Sequence, residues 1–114
     1  MKKYLFIIVP IIFFVSCRQQ KEQIPAYVLP VEKMVPVMID IHLVEAAVSI
    51  KNLPRDSSVL VYSLYEKDVF KKHNISDSTY KKSFDFYTSR PALMDKLYEM
   101  VVDSLSLREE QKRL

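Results

Sequence analysis

Apolar positions recur along this chain in distinct patterns, and each pattern marks a different element. From Tyr4 to Val15 they form a run of 12 residues broken only by Pro10. From Arg18 to Pro30 they are scattered among polar residues, with Pro25 and Pro30 interrupting, and this absence of a period predicts a tether. From Val31 to about Lys51 they return at helical spacing on two sides. Met34, Val37, Ile41, Val44 and Val48 share one face, and Val35, Ile39, Leu43, Ala46 and Ile50 share the opposite one. A helix apolar on both sides needs packing partners on both, which predicts a central helix. Pro36 removes one backbone donor near its start, while Asn52, able to turn left-handed, and Pro54 end it.

Three more helices follow at short connections. One spans about Ser57 to His73, with Asp56 or Ser57 as cap and Val61, Tyr62, Tyr65 and Val69 as its buried stripe. Lys71, Lys72 and His73 gather at its C-terminus, where the helix dipole favours positive charge, and Asn74 stops it. The next spans about Asp77 to Ser89, capped by Ser76, with Tyr80, Phe84 and Tyr87 on one side and Ser83 leaving room for a close neighbour. The last begins near Pro91, a residue suited to a first turn, and carries the stripe Met94, Leu97, Tyr98, Val101 and Leu105. Its charged end, Arg108 to Leu114, is expected to project or fray. The fold class is all-α: a small bundle of four helices over residues 31–114, after a cleaved signal peptide and a polar tether.

The front of the chain sets its address. Lys2 and Lys3 precede an apolar run too short to span a bilayer, which takes roughly 20 residues. A basic start, a short apolar stretch and a small residue at the break are the anatomy of a secretory signal. Phe14-Val15-Ser16-Cys17 resembles the lipobox of bacterial lipoproteins, in which cleavage falls directly before a cysteine carrying a diacylglycerol; the lipobox prefers Leu where Phe14 stands. The expectation is a signal peptide over 1–16, a lipidated Cys17 and a tether over 17–30. Two or more acyl chains make such an anchor stable, at about 0.8 kcal/mol per buried methylene. Cys17 is the single cysteine, so no disulfide, catalytic thiol or cysteine metal site remains.

Composition then excludes whole classes of function. Removing the signal takes Lys2 and Lys3 with it and leaves 15 basic against 14 acidic residues, a poor balance for nucleic acid. Glycine is absent, which disfavours phosphate-cradling loops, dinucleotide fingerprints and tight hairpins together. No nucleic acid, nucleotide or cofactor is expected.

Met34 with Asp40-Ile41-His42-Leu43-Val44-Glu45-Ala46 resembles the opening motif of a Bacteroidota lipoprotein family, domain of unknown function 4296. So do Val69-Phe70-Lys71-Lys72-His73-Asn74-Ile75-Ser76, then Ser83 with Phe86-Tyr87, Pro91 and Tyr98, so that the likeness covers about Pro30 to Leu105. Asn74 departs from the glycine frequent in the family. The resemblance implies an envelope lipoprotein and brings no established activity with it.

Candidate chemistry is sparse. Asp40, His42 and Glu45 form a polar strip on the first helix. At 100° per residue, His42 and Glu45 lie about 60° apart and Asp40 about 160° from His42, so one helix cannot gather all three. His42 with Glu45 has the makings of half a metal site or an acid–base pair, the alternative being a metal-binding or hydrolytic enzyme. The preferred reading is structural, a polar strip tied to neighbouring helices. His73 reads as a helix-end cation, and no nucleophile elbow appears. Lysines 67, 71, 72, 81 and 82 cluster at the second turn as a solvated, dipole-matched end. The sequence therefore predicts no catalytic and no metal residues. It predicts a non-enzymatic interaction, accessory or chaperone-like lipoprotein at the periplasmic face of the outer membrane, held by lipid on Cys17 and meeting an envelope protein partner. Phe86, Tyr87, Met94 and Tyr98 either line a partner groove, with the lysines near the second turn at its rim, or complete the core.

Overall fold

A computed structural model describes residues 22–114. The signal segment and Cys17 lie outside the described residues. Four helices follow in order: α1 (Val31–Ile50), α2 (Arg55–Lys72), α3 (Asp77–Thr88) and α4 (Pro91–Arg113), with no strand among the described residues. The all-α bundle of four helices is what the spacing predicts.

α1 is central, as its two apolar faces require. Met34, Val35, Met38 and Ile39 join Phe86 and Tyr87 of α3 and Leu97 and Val101 of α4 in the larger core cluster. Val37 and Ile41 join Val69 and Phe70 of α2 in the smaller one. Ile39 and Ile41, on opposite sides, are 2% and 4% exposed. Met34 packs with the Val35 face instead of the Val37 face. The far half of the second face is also different from expectation: Leu43, Ala46 and Ile50 are exposed, and Leu43 borders an open hollow with Leu105 and Arg108 of α4 instead of a packed contact. Pro36 sits inside α1 without ending it. It lies early enough that only the bond to the Glu32 carbonyl is forfeited.

The helix ends show which local signals act. Ser76 accepts the Thr79 amide at 3.1 Å, the expected cap of α3. α2 begins two residues before the expected start, on Pro54, with Asp56 inside the first turn and no side-chain cap. Its C-terminus closes as a Schellman motif. The Ile75 amide reaches the Phe70 carbonyl at 3.0 Å and the Asn74 amide reaches Lys71 at 3.1 Å. Asn74 takes φ 54°, the left-handed position otherwise suited to glycine, and Asn52 does the same at φ 48°. Ile75 then packs on the cluster that holds Phe70. The charged end of α4 stays helical to Arg113 instead of fraying. Its residues are strong helix formers, Lys112 and Arg113 complement the dipole, and Arg113 pairs with Glu109 one turn back.

One segment read as tether belongs to the core. Val28 and Leu29 are 4% and 8% exposed and pack in the larger cluster. The Leu29 amide donates to Ser83 Oγ at 2.8 Å, and Tyr87 donates its hydroxyl to the Leu29 carbonyl, also at 2.8 Å. A residue of no periodic pattern is thus held at both backbone groups by two buried side chains of α3. The segment meets the fold well before Pro30: Ile24 packs against the same cluster and Glu22 pairs with Arg90.

Candidate functional site

The polar strip of α1 divides as the helical wheel requires. Asp40 faces the C-terminal end of α2, where Lys72 Nζ lies 2.8 Å and His73 Nε2 2.7 Å from its Oδ2. Burial alone would raise the Asp40 carboxyl, but the hydrogen bonds and charges of Lys72 and His73 outweigh it, and the net shift is downward. His73 is therefore more than a dipole partner: with Lys72 it fastens α2 to α1.

His42 and Glu45 face a different part of the fold. His42 Nδ1 lies 2.9 Å from Glu45 Oε2. The pair stands on the rim of a recess of about 250 Å³ whose floor is Met38 and Ile41 and whose walls are Tyr62 of α2, Tyr80 and Phe84 of α3 and Tyr98 of α4. All four helices contribute to it. The Tyr98 ring lies 6.0 Å from the His42 ring, and Tyr80 stacks on Phe84 at 6.0 Å. Behind one wall, the Tyr62 hydroxyl reaches Glu66 Oε1 at 3.4 Å.

The electrostatics of the recess have one sign. Burial, then Glu66 and Glu45, push the Tyr62 hydroxyl up to about 12. Burial comes first for Tyr80 as well, followed by Tyr62, Glu45, Tyr98 and Glu66, and it is raised further. The Glu66 carboxyl is raised by burial and by the charges of Asp77 and Glu45, against the Tyr62 hydrogen bond. Among the described residues no three His, Asp or Glu side chains converge as a metal site would require. Facing the His42–Glu45 pair are aromatic rings, with Glu66 set behind Tyr62.

The groove expected from α3 and α4 does not form. Phe86 and Tyr87 are core residues, 8% and 0% exposed, because the Val28–Leu29 segment covers them. The Phe86 ring also carries the Arg90 guanidinium at 3.8 Å from its centroid. Met94 is half-buried, and only Tyr98 is exposed, within the recess. Sequence reasoning missed Tyr62 and Tyr80 as recess walls. Both sit on stripes that periodicity assigns to the core, and the recess exists only where four helices meet. It also missed Ser83 as a bonding group: its hydroxyl accepts Leu29 and donates to the Thr79 carbonyl at 2.7 Å.

Exposed apolar side chains stand instead on α1, α2 and α4. Ile50, Val59, Leu60, Leu64, Val102 and Leu107 are each more than half exposed. Val48, Leu53, Val59 and Tyr62 line one hollow between α1 and α2, and Leu43, Val44, Ala47, Tyr65 and Val69 line another. None of the described helices is long and apolar enough to cross a membrane.

The family described as Domain of unknown function (DUF4296) matches residues 25–111. That match begins ahead of α1 and takes in the Val28–Leu29 segment. No curated protein and no solved structure matches the chain.

Proposed function

The chain belongs to the DUF4296 family, and on that premise we propose that it is a lipid-anchored envelope protein acting as a non-enzymatic interaction module. The observation that carries the interaction reading is the pair of apolar-lined hollows between α1 and α2, beside which Ile50, Val59, Leu60 and Leu64 stand exposed. A domain of this size cannot enclose all its apolar side chains, and apolar-lined hollows at the surface offer a contact site. The anchoring reading rests on Cys17 closing the apolar run, which lies outside the described residues.

Under this reading the tether is residues 18–23, ahead of the packed Ile24, six residues that reach about 19 Å if extended at ~3.1 Å each. The domain would then work close to the bilayer, at the periplasmic face of the outer membrane. Arg18-Gln19-Gln20-Lys21 has no acidic run of the kind that resembles a surface-export signal.

Photo-crosslinkers placed at Val59, Leu60 or Leu64 should trap a discrete partner in native envelopes, and one at buried Leu97 should not. Metabolic labelling with a fatty acid should mark the wild-type chain, while Cys17→Ala should accumulate as unlabelled precursor. Equal crosslinking from exposed and buried positions would sink the interaction reading; an unlabelled wild type would sink the anchor.

A further inference from the structure

We propose that the recess ringed by Tyr62, Tyr80, Phe84 and Tyr98 is a binding site for a small organic ammonium ion. Its floor is apolar, its walls are aromatic and its rim carries Glu45, with Glu66 behind Tyr62. Aromatic faces attract cations through the ring quadrupole, and most strongly those whose alkyl shell sheds water easily. The volume of about 250 Å³ far exceeds the ~15 Å³ that admits one water, yet falls below the ~300–1,000 Å³ of drug-sized pockets. The fit is therefore to a head group such as trimethylammonium.

Charge supports the same class of ligand. The groups that act on Tyr62 and Tyr80 are Glu45, Glu66 and other tyrosines, and those acting on Glu66 are Asp77 and Glu45. Of the lining residues only His42 is basic, and it is already hydrogen-bonded to Glu45. A hard metal cation wants several oxygen ligands, and three acidic or histidine side chains do not converge among the described residues. An anion would meet Glu45 at the rim and Glu66 behind Tyr62, and no basic side chain of the lining other than His42. A neutral apolar ligand would draw nothing from Glu45 and Glu66. The site shares Tyr62 and Glu45 with one of the hollows between α1 and α2, but choline binding is read without any protein partner, so it stands or falls apart from the proposed interaction role.

The test titrates choline into the purified full chain, read by tyrosine fluorescence, which is unobscured because the chain has seven tyrosines and no tryptophan. The neutral isostere 3,3-dimethylbutan-1-ol is the charge control. Choline should saturate, and the isostere should bind at least about 10-fold more weakly, since it lacks the charge that the ring faces and carboxylates attract. Tyr98→Leu removes a partly exposed wall and should weaken choline about 2- to 30-fold, whereas Tyr98→Phe should stay within about 2-fold. Glu66→Gln should also weaken it, with unchanged thermal melting showing that the fold is kept. Equal binding of choline and its isostere would overturn the proposal. So would a titration without saturation, or wild-type affinity in both Tyr98→Leu and Glu66→Gln.

Discussion

Leu29 is the residue on which the start of the folded domain depends, and the dependence is measurable. Ser83→Ala removes the acceptor of the Leu29 amide, and Tyr87→Phe removes the donor to the Leu29 carbonyl. Ser83 and Tyr87 are both 0% exposed and Leu29 only 8%, so water cannot replace either bond in place. Each substitution orphans one buried backbone group, which costs about 1–3 kcal/mol. Losing the Ser83 donation to Thr79 adds little, because that carbonyl lies within α3 and keeps its helical bond.

The double variant should cost less than the sum. Both bonds hold one residue, and once both are gone Val28 and Leu29 can leave the core instead of staying buried and unpaired. The loss is then limited to what their docking contributes: about 1.5–3 kcal/mol of burial per side chain, less ~1–2 kcal/mol of backbone ordering per residue. Urea unfolding followed by helical circular dichroism should give two single costs of that size and a coupling of at least about 0.5 kcal/mol. Hydrogen exchange at the Leu29 amide should be protected in the wild type and fast in Ser83→Ala. Single costs below about 0.5 kcal/mol, or strict additivity, would refute the idea that one residue is gripped from both sides.

Four further outcomes are expected. Asp40→Asn should destabilise by about 1.5–3 kcal/mol at neutral pH, since it weakens hydrogen bonds to a charged acceptor. Because the folded Asp40 carboxyl lies below its ordinary 3.8, its contribution is full above 3.8 and lost as pH falls through the folded value, so chemical denaturation curves of the two proteins should converge in acid. Ile39→Ala and Ile41→Ala, on opposite faces of α1, should each cost about 2–5 kcal/mol, and an unchanged melting midpoint in either would refute the two-cluster core. In an alkaline titration read by tyrosinate absorbance, Tyr62 should ionise near 12 and Glu66→Gln should bring it down; with folded values above the ordinary 10, these hydroxyls support the fold below pH 10 and the support is lost as pH rises through about 12. Asn74→Ala should lower the melting midpoint and Asn74→Gly should raise it or leave it unchanged, because the Schellman turn demands a positive φ there.

Much of this protein was legible one residue at a time. Helical spacing marked four helices, with every boundary except the end of α4 placed within about two residues, since burial of one stripe per turn leaves its period in the chain. Ser76, Asn52 and Asn74 marked ends because their short polar side chains satisfy or tolerate helix termini locally. The two faces of α1 announced a central helix before any partner was known, and the angle between Asp40 and His42 announced that the strip would split. Tertiary structure alone decided what met those faces. Val28 and Leu29 carry no period, so nothing in their spacing could say that Ser83 and Tyr87, 54 and 58 residues away, would hold them. By covering Phe86 and Tyr87, that segment removed the groove expected there. Tyr62, Tyr80 and Tyr98 lie on three helices, and their spacing along the chain is silent about a shared recess. Local signals act through backbone geometry that adjacent residues share, whereas a cavity is the space left where distant side chains fail to fill a junction, and that volume exists only once the helices have packed.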